Sequence, residues 1–380
     1  MSDSDLTAEL NELRALAREF FSKEVAPRWE EFAENGAPDR KLWNRAGDLG
    51  LLNISIPAEY GGGGGTFAHE AALMDEQAKA GDTSMNISVH SGIVAHYIHA
   101  YASEEQKQRW LPKLASGEFV GAIAMTEPGT GSDLQNIKTK AIKEGDEYVI
   151  SGAKTFITNG ALCDLLIIAA KTDPSLGAAG VSLIVAEVSN ETPGFERGRK
   201  LKKIGLKGQD TSELFFDGLR VPTANLLGPE EGKGFIQLMQ QLPQERLIVG
   251  ILAAAACEMA VEQTIEYTKN RQMFGKTLFA MQNTKFELAE VATIAHVVRT
   301  FVDDSVAKHL RGELDVKTAA MVKYWTSDQQ MIVVDRCLQL HGGYGYMEEY
   351  PIARMFVDGR IGRILAGSNE VMKDLIARFL

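Results

Sequence analysis

The segment LPQERL, residues 242–247, sets a carboxylate beside a guanidinium, Glu245 and Arg246, just after Pro243. A carboxylate in apolar surroundings can act as a general base, because burial raises its pKa toward neutrality. Pro243 suits the first turn of a helix. Glu245 then falls in that first turn, where the macrodipole favours the ionised form. The two effects oppose each other and could poise the group for proton transfer. A first-turn glutamate is also an ordinary helix-start residue with no chemical task, so the segment alone leaves both readings open. Arg246, at i+1, points to another face and is not paired directly with Glu245.

Other segments carry ligand-binding chemistry. TEPGTGSD, Thr126 to Asp133, packs two glycines, a proline and three hydroxyl residues into one turn after an apolar strand. Its N–H groups and hydroxyls can hold phosphate or the polar edge of a ligand, although a tight loop needs the same residues. In KTFITNG, Lys154 to Gly160, Phe156 is either core or a ring near a flat cofactor. Arg271 in RQMFG can take a pyrophosphate through two parallel N–H bonds; the plain alternative is a helix-end arginine near the negative pole of the macrodipole. QLHGGYGY, Gln339 to Tyr346, ends a helix with two glycines, which either cap it or let backbone approach a cofactor. His341 has no second ligand at metal-binding spacing, so no metal is expected. Ser368 suits a helix N-cap.

The elements that must position these groups fall into three blocks. Helical periodicity covers about 6–29, with Leu10, Leu13, Leu16, Ala17, Phe20 and Phe21 near one face; Pro27 and Pro38 mark breaks. Asp39 precedes another helix, Gly61 to Gly65 must be a loop, and helices are expected over about 69–79, 88–101 and after Ser103. From Phe119 the texture turns to β, at 119–125, 147–150, 165–171, 181–188 and 213–216. Turns are expected at Glu144-Gly145-Asp146, Thr158-Asn159-Gly160, Pro193-Gly194 and Asp217-Gly218. Four long helices follow, over about 243–270, 282–311 and 315–340 and after Ser368. The expected class is α+β multidomain: a helical domain at 1–117, a β-domain at 118–228 and a four-helix bundle at 229–380.

Composition narrows the function. A chain of 380 residues exceeds one simple core. A net charge of −11 disfavours nucleic acid as a partner. Cys163, Cys257 and Cys337 form no C-x-x-C pair and no disulfide framework, which suits a reducing compartment. The opening MSDSDLTAEL shows neither a secretory nor a mitochondrial address. The apolar run 165–170 is too short to span a bilayer, and no membrane span is expected.

In order and spacing over nearly the whole chain, PAEYGG, TEPGTGSD, KTFITNG, GLKGQDTSELFFDGLRVP, NRQMFGK, QLHGGYGYMEEYPIAR and AGSNEVMKDLIAR resemble the acyl-CoA dehydrogenase family. The resemblance implies that family's fold: N-terminal helices, a β-barrel-like middle domain and a C-terminal four-helix bundle, usually assembled as a homotetramer of paired dimers. It implies FAD bound between the middle domain and the bundle. Ile123, Met125, Thr126, Gly131 and Ser132 then contact the flavin, with Phe156, Ile157 and Thr158 along its rings; many relatives have tryptophan where Phe156 stands. Arg271, Phe274, Gln282, Gln339, Gly342 and Gly343 match residues that reach the FAD of a neighbouring subunit. Ser368, Asn369 and Glu370 match the adenosine-diphosphate region.

Many relatives carry their base as glutamate in a Tyr-Glu-Gly-Thr-like stretch. Here Ile364 to Ser368 matches it, and Ala366 stands at the base position, where it cannot accept a proton. LPQERL is similar to the long-chain and isovaleryl-CoA dehydrogenase branch, whose base lies at the position of Glu245. The implied reaction is α,β-dehydrogenation of an acyl-CoA to a trans-2-enoyl-CoA. Glu245 takes the α-proton, the Ala366 N–H and a flavin ribityl hydroxyl polarise the thioester carbonyl, and hydride leaves the β-carbon for FAD. Ser132, Leu242, Arg246 and Gly367 complete the implied substrate contacts. Medium- to long-chain fatty acyl-CoA in β-oxidation is expected, with isovaleryl or another branched short acyl group as the alternative, and an electron-transfer flavoprotein as acceptor. Monooxygenase relatives lack the base, so Ala366 keeps a flavin monooxygenase or acyl-CoA oxidase open. A helical binding protein that has lost its cofactor is a further alternative, opposed by the intact TEPGTGSD and NRQMFG. The expected compartment is a bacterial cytoplasm, or the mitochondrial matrix if the source is eukaryotic.

Overall fold

The computed structural model describes residues 3–380; Met1 and Ser2, part of the expected first domain, lie outside them. Helix α1 (Asp3–Phe20) continues through a π-helical turn (Phe21–Val25) and a 3₁₀ turn (Ala26–Arg28) that admits Pro27, then into α2 (Trp29–Asn35). Gly36, at φ 67°, ends it in the left-handed conformation that glycine adopts freely. α3 (Arg40–Asp48) starts on Asp39, whose carboxylate accepts from the Leu42 N–H. Past the glycine loop come α4 (Phe67–Lys79), α5 (Ile87–Val89), a π-helical segment (His90–Ala95) and α6 (His96–Tyr101). α7 (Glu104–Ala115) opens on a capping box between Ser103 and Gln106.

The middle region is a seven-stranded sheet of β1 (Gly121–Ala124), β2 (Lys140–Glu144), β3 (Glu147–Thr158), β4 (Leu165–Lys171), β5 (Val181–Glu187), β6 (Phe195–Lys200) and β7 (Thr211–Pro222). β4 is its spine. β5 pairs antiparallel along β4, β1 and β2 pair parallel to it, and β3, β7 and β6 follow outward from β2. Every residue of β4 is buried, which explains its unbroken apolar run. Leu165, Ile167 and Ala169 pack with Trp110, Leu111 and Leu114 of α7. Leu166, Ile168 and Ala170 pack with β3 and β7 on the other face.

Three expectations about strands are corrected. β3 and β7 each run 12 residues, well beyond 147–150 and 213–216. Asp217-Gly218 is not a turn: the register steps from Asp217 opposite Ser151 to Leu219 opposite Ile150, and Gly218 bulges out at φ 71°. β2 and β6, KAIKE and FERGRK, carry too few apolar residues to stand out as strands.

The C-terminal region holds α8 (Gly234–Asn270), a small ribbon of β8 (Gln272–Met273) and β9 (Lys276–Thr277), then α9 (Gln282–Leu310), α10 (Val316–His341), α11 (Pro351–Gly359) and α12 (Asn369–Ala377). Cys257, Ala260, Val291, Val333 and Cys337 share one bundle core of α8, α9 and α10. α11, with proline in its first turn, had no counterpart in the sequence expectation. α8 is long and apolar enough to cross a bilayer, but 67% of its most apolar stretch is buried within the protein.

The start of α8 is the correction with chemical weight. The helix begins at Gly234, so Pro243 lies inside it and Glu245 is far from its first turn. The macrodipole acts within the terminal turns, so it cannot be what tunes Glu245. Pro243 lacks an N–H and leaves the Met239 carbonyl without its helical partner.

Candidate active site

Glu245 is 6% exposed, at the meeting of α8 with α6. The Tyr97 hydroxyl donates to its Oε1 at 2.8 Å. Burial pushes the Glu245 carboxyl up to about 7, with Tyr97 and then Arg246 pulling the other way. Burial is opposed here by the Tyr97 hydroxyl and Arg246, in the place that the sequence reading assigned to the helix dipole. Arg246 is equally buried, and its Nε has no hydrogen-bond partner among the described residues.

Both groups line a cavity of about 670 Å³ between the sheet and the helices. Ile123, Met125, Thr126, Gly131 and Ser132 form one wall, Phe156, Ile157 and Thr158 another, and Ala366 and Gly367 a third. Leu242 lines it beside Glu245, and so do Phe235 and Met239, which the sequence reading did not single out.

The first two walls are locked by a buried ion pair. Lys154 is 0% exposed; its Nζ donates to Glu127 and to the Met125 carbonyl, each at 2.9 Å. Burial alone would raise Glu127, but Lys154 and the N–H groups of Lys138 and Thr139 hold it below the usual carboxylate range. Burial pushes Lys154 down to about 8. The Thr155 N–H donates to the Thr126 carbonyl at 3.0 Å, stitching the TEPGTGSD turn to β3.

β3 then breaks register between Lys154 and Ile157. Phe156 sits at φ 60°, a conformation rare for a residue with a Cβ. Its ring is 67% exposed and faces the cavity, so the core alternative for Phe156 is excluded. Nothing lies within 4 Å of where a Cβ would stand on Gly129 or Gly131. An aromatic face, open glycine backbone and the hydroxyls of Thr126, Ser132 and Thr158 together fit a flat ligand with polar edges.

Ala366 is at φ 54° and Gly367 at φ 92°. No hydrogen bond among the described residues takes the Ala366 N–H, so this donor is available at the cavity wall.

The remaining expected residues lie elsewhere. Arg271, Phe274, Gln282, Gln339, Gly342 and Gly343 do not line the cavity. The Arg271 guanidinium rests 5.6 Å above the Tyr344 ring, so RQMFG and QLHGGYGY adjoin each other at a separate place. Phe274 is 88% exposed there, at φ 51°. Ser368 caps α12 by accepting from the Val371 N–H, and Glu370 is exposed in that helix's first turn; neither reaches the cavity. His341 stacks on Tyr267, and no metal-binding cluster occurs among the described residues. Tyr97 escaped sequence reading because it is one ring in an ordinary helical pattern.

Three domain patterns match the chain: acyl-CoA dehydrogenase N-terminal domain over residues 7–118, middle domain over 122–219 and C-terminal domain over 232–380. The mitochondrial long-chain specific acyl-CoA dehydrogenase of Rattus norvegicus is 46% identical over 374 residues, 98% of this chain and 86% of that protein. The solved acyl-CoA dehydrogenase of Geobacillus kaustophilus is 46% identical with a TM-score of 0.95, over 100% of this chain and 98% of that one. Butyryl-CoA dehydrogenase from Megasphaera elsdenii is 34% identical with a TM-score of 0.93, again over 100% and 98%.

Proposed function

The chain belongs to the acyl-CoA dehydrogenase family of FAD-dependent oxidoreductases, and from that premise we propose that it dehydrogenates medium- to long-chain fatty acyl-CoA, with Glu245 as the base that takes the α-proton. The observation that carries this reading is a cavity-lining carboxylate raised to about 7, in a chain with alanine at the other base position. At neutral pH about half of such a group is ionised, which suits a base that must both accept and release a proton.

FAD, held by Ile123, Met125, Thr126, Gly131, Ser132, Phe156, Ile157 and Thr158, supplies the hydride acceptor. The chain's own residues do the rest. Tyr97 fixes one oxygen of Glu245, and the other has no hydrogen-bond partner among the described residues. The Ala366 N–H binds the thioester oxygen and stabilises the negative charge that gathers there as the α-proton leaves. Arg246 adds a buried positive charge beside the same wall.

The proposed chain length is supported by how far the cavity lining extends along α8. Beyond Glu245 the cavity tracks α8 past Val249, Leu252, Ala253 and Ala256 to Met259. That helical span is about 21 Å at 1.5 Å per residue. An extended alkyl chain with bonds of about 1.5 Å advances about 1.25 Å per carbon, so about sixteen carbons fit. Arg271, Phe274, Gln282, Gln339, Gly342 and Gly343, all outside this chain's own cavity, are read as serving a neighbouring subunit in a homotetramer. Ser368 and Glu370 are assigned to the adenosine end of the cofactor. An electron-transfer flavoprotein is the proposed acceptor, and the three buried free cysteines suit a reducing compartment such as cytoplasm or mitochondrial matrix.

The test is anaerobic mixing of the FAD-loaded protein with saturated acyl-CoAs from C4 to C18, isovaleryl-CoA included. Flavin bleaching that is fastest at long chain length supports the reading, and a preference for isovaleryl-CoA replaces its substrate. No bleaching by any acyl-CoA favours a monooxygenase, and rapid peroxide formation in air favours an oxidase.

A further inference from the structure

Lys323 on α10 is 0% exposed and forms no ion pair with a carboxylate among the described residues. Its Nζ donates to the Gly367 carbonyl at 2.6 Å and to Asn369 Oδ1 at 2.9 Å. A buried ammonium is costly unless fully hydrogen-bonded, and a second cation, Arg246, is close enough to act on it. Burial, then Arg246, pushes Lys323 down to about 8, so it remains mostly charged at neutral pH.

Docking of α12 does not explain the lysine. Asn369, at the start of α12, already donates to the Tyr324 carbonyl, Ser327 Oγ and Asp328 Oδ1 of α10. Arg363 takes the Asp328 carboxylate at 2.7 Å. Besides its bond to Asn369 Oδ1, which Ser327 Oγ also reaches, Lys323 donates to the Gly367 carbonyl, a contact that no other side chain among the described residues makes. That carbonyl belongs to the turn in which Ala366 is held at φ 54°, a sparsely populated conformation for a residue with a Cβ. Gly367, at φ 92°, is one that only glycine adopts readily.

We propose that Lys323 is a positioning residue: by holding the Gly367 carbonyl it keeps Ala366 left-handed and its free N–H aimed at the thioester oxygen. The inference rests on the reading of that N–H as the carbonyl donor. A freed turn relaxes toward a commoner backbone conformation, which swings the N–H away from the cavity.

The probe is 4-hydroxycinnamoyl-CoA, whose absorption moves to longer wavelength when its carbonyl is polarised. The FAD-loaded parent is expected to red-shift the bound probe. Lys323→Met fills similar space without the clamp and is expected to lose most of that shift, while flavin reduction by a saturated acyl-CoA slows about 10- to 100-fold, less than or comparable to deleting one oxyanion donor. Lys323→Arg keeps the buried charge and the fold but moves the donor, and is expected to give an intermediate shift. A parent-like shift in any folded variant overturns the clamp and leaves the Ala366 reading intact. A parent that shifts the probe not at all overturns both. If only Lys323→Arg folds, its shift alone decides.

Discussion

Replacing Tyr97 with phenylalanine removes the hydroxyl that donates to Glu245 Oε1 at 2.8 Å and leaves the ring's packing in place. Tyr97 favours the ionised carboxylate, so its loss moves the Glu245 pKa further up from about 7. A hydrogen bond to a charged group contributes about 1.5–3 kcal/mol, and one pKa unit is about 1.4 kcal/mol, so the expected rise is about one to two units. Arg246 on α8 remains as the favourable charge, and Tyr101 on α6 also senses Glu245; neither replaces the lost bond. At pH 7 the ionised fraction then falls from about half to about 1–10%, and kcat/KM falls about 5- to 50-fold. The loss should shrink toward pH 9, where the carboxyl ionises in both proteins. The assay is the pH dependence of kcat/KM, with FAD occupancy checked from the visible spectrum. A profile superimposable on the parent's, or an equal loss at every pH, refutes the assignment of Tyr97 as the group that tunes the base.

Glu245→Gln should stabilise the fold at high pH. The folded carboxyl titrates at about 7 against an ordinary 4.5, so between those values the folded state binds the extra proton and stability falls as pH rises. Removing that cost should add on the order of 3 kcal/mol at pH 8 and nothing near pH 4, read by denaturant melts at both; equal changes at the two pH values contradict it. Lys154→Met breaks the buried pair with Glu127 and should cost about 3 kcal/mol, the lower end for such pairs because backbone donors remain on Glu127. Titration with FAD should show weakened binding as the TEPGTGSD turn loosens, and unchanged stability and affinity would count against the lock. Ala256→Phe should block the deep cavity: turnover of C16 substrates collapses while C6 to C8 is kept, and an unchanged C16 rate would show that the chain takes another path.

Much of the fold was legible where local pattern and tertiary demand agree. Asp39, Ser103, Asp315 and Ser368 cap helices as their side-chain chemistry dictates. The apolar run of β4 reads as a strand because it is buried on both faces. Legibility failed where tertiary context overrides the local signal. β2 and β6 gain strand structure from pairing with β3 and β7, not from their Lys- and Arg-rich composition. Pro243 marks a helix start in isolation, but α8 is secured by packing on both sides of it. The positive φ of Phe156 and Ala366 belongs to the folded backbone, and no residue type at either position announces it. Tyr97, Lys154 and Lys323 act through partners that are 148, 27 and 44 residues away in the chain, separations that one sequence does not encode visibly.

The most direct measurement is stopped-flow reduction of FAD-loaded Glu245→Gln by palmitoyl-CoA without oxygen, alongside the parent. Glutamine keeps the size of the side chain and an oxygen for Tyr97, but cannot take the α-proton. The expected result is a flavin that stays oxidised while palmitoyl-CoA still binds. Reduction at the parent's rate would show that another group removes the proton.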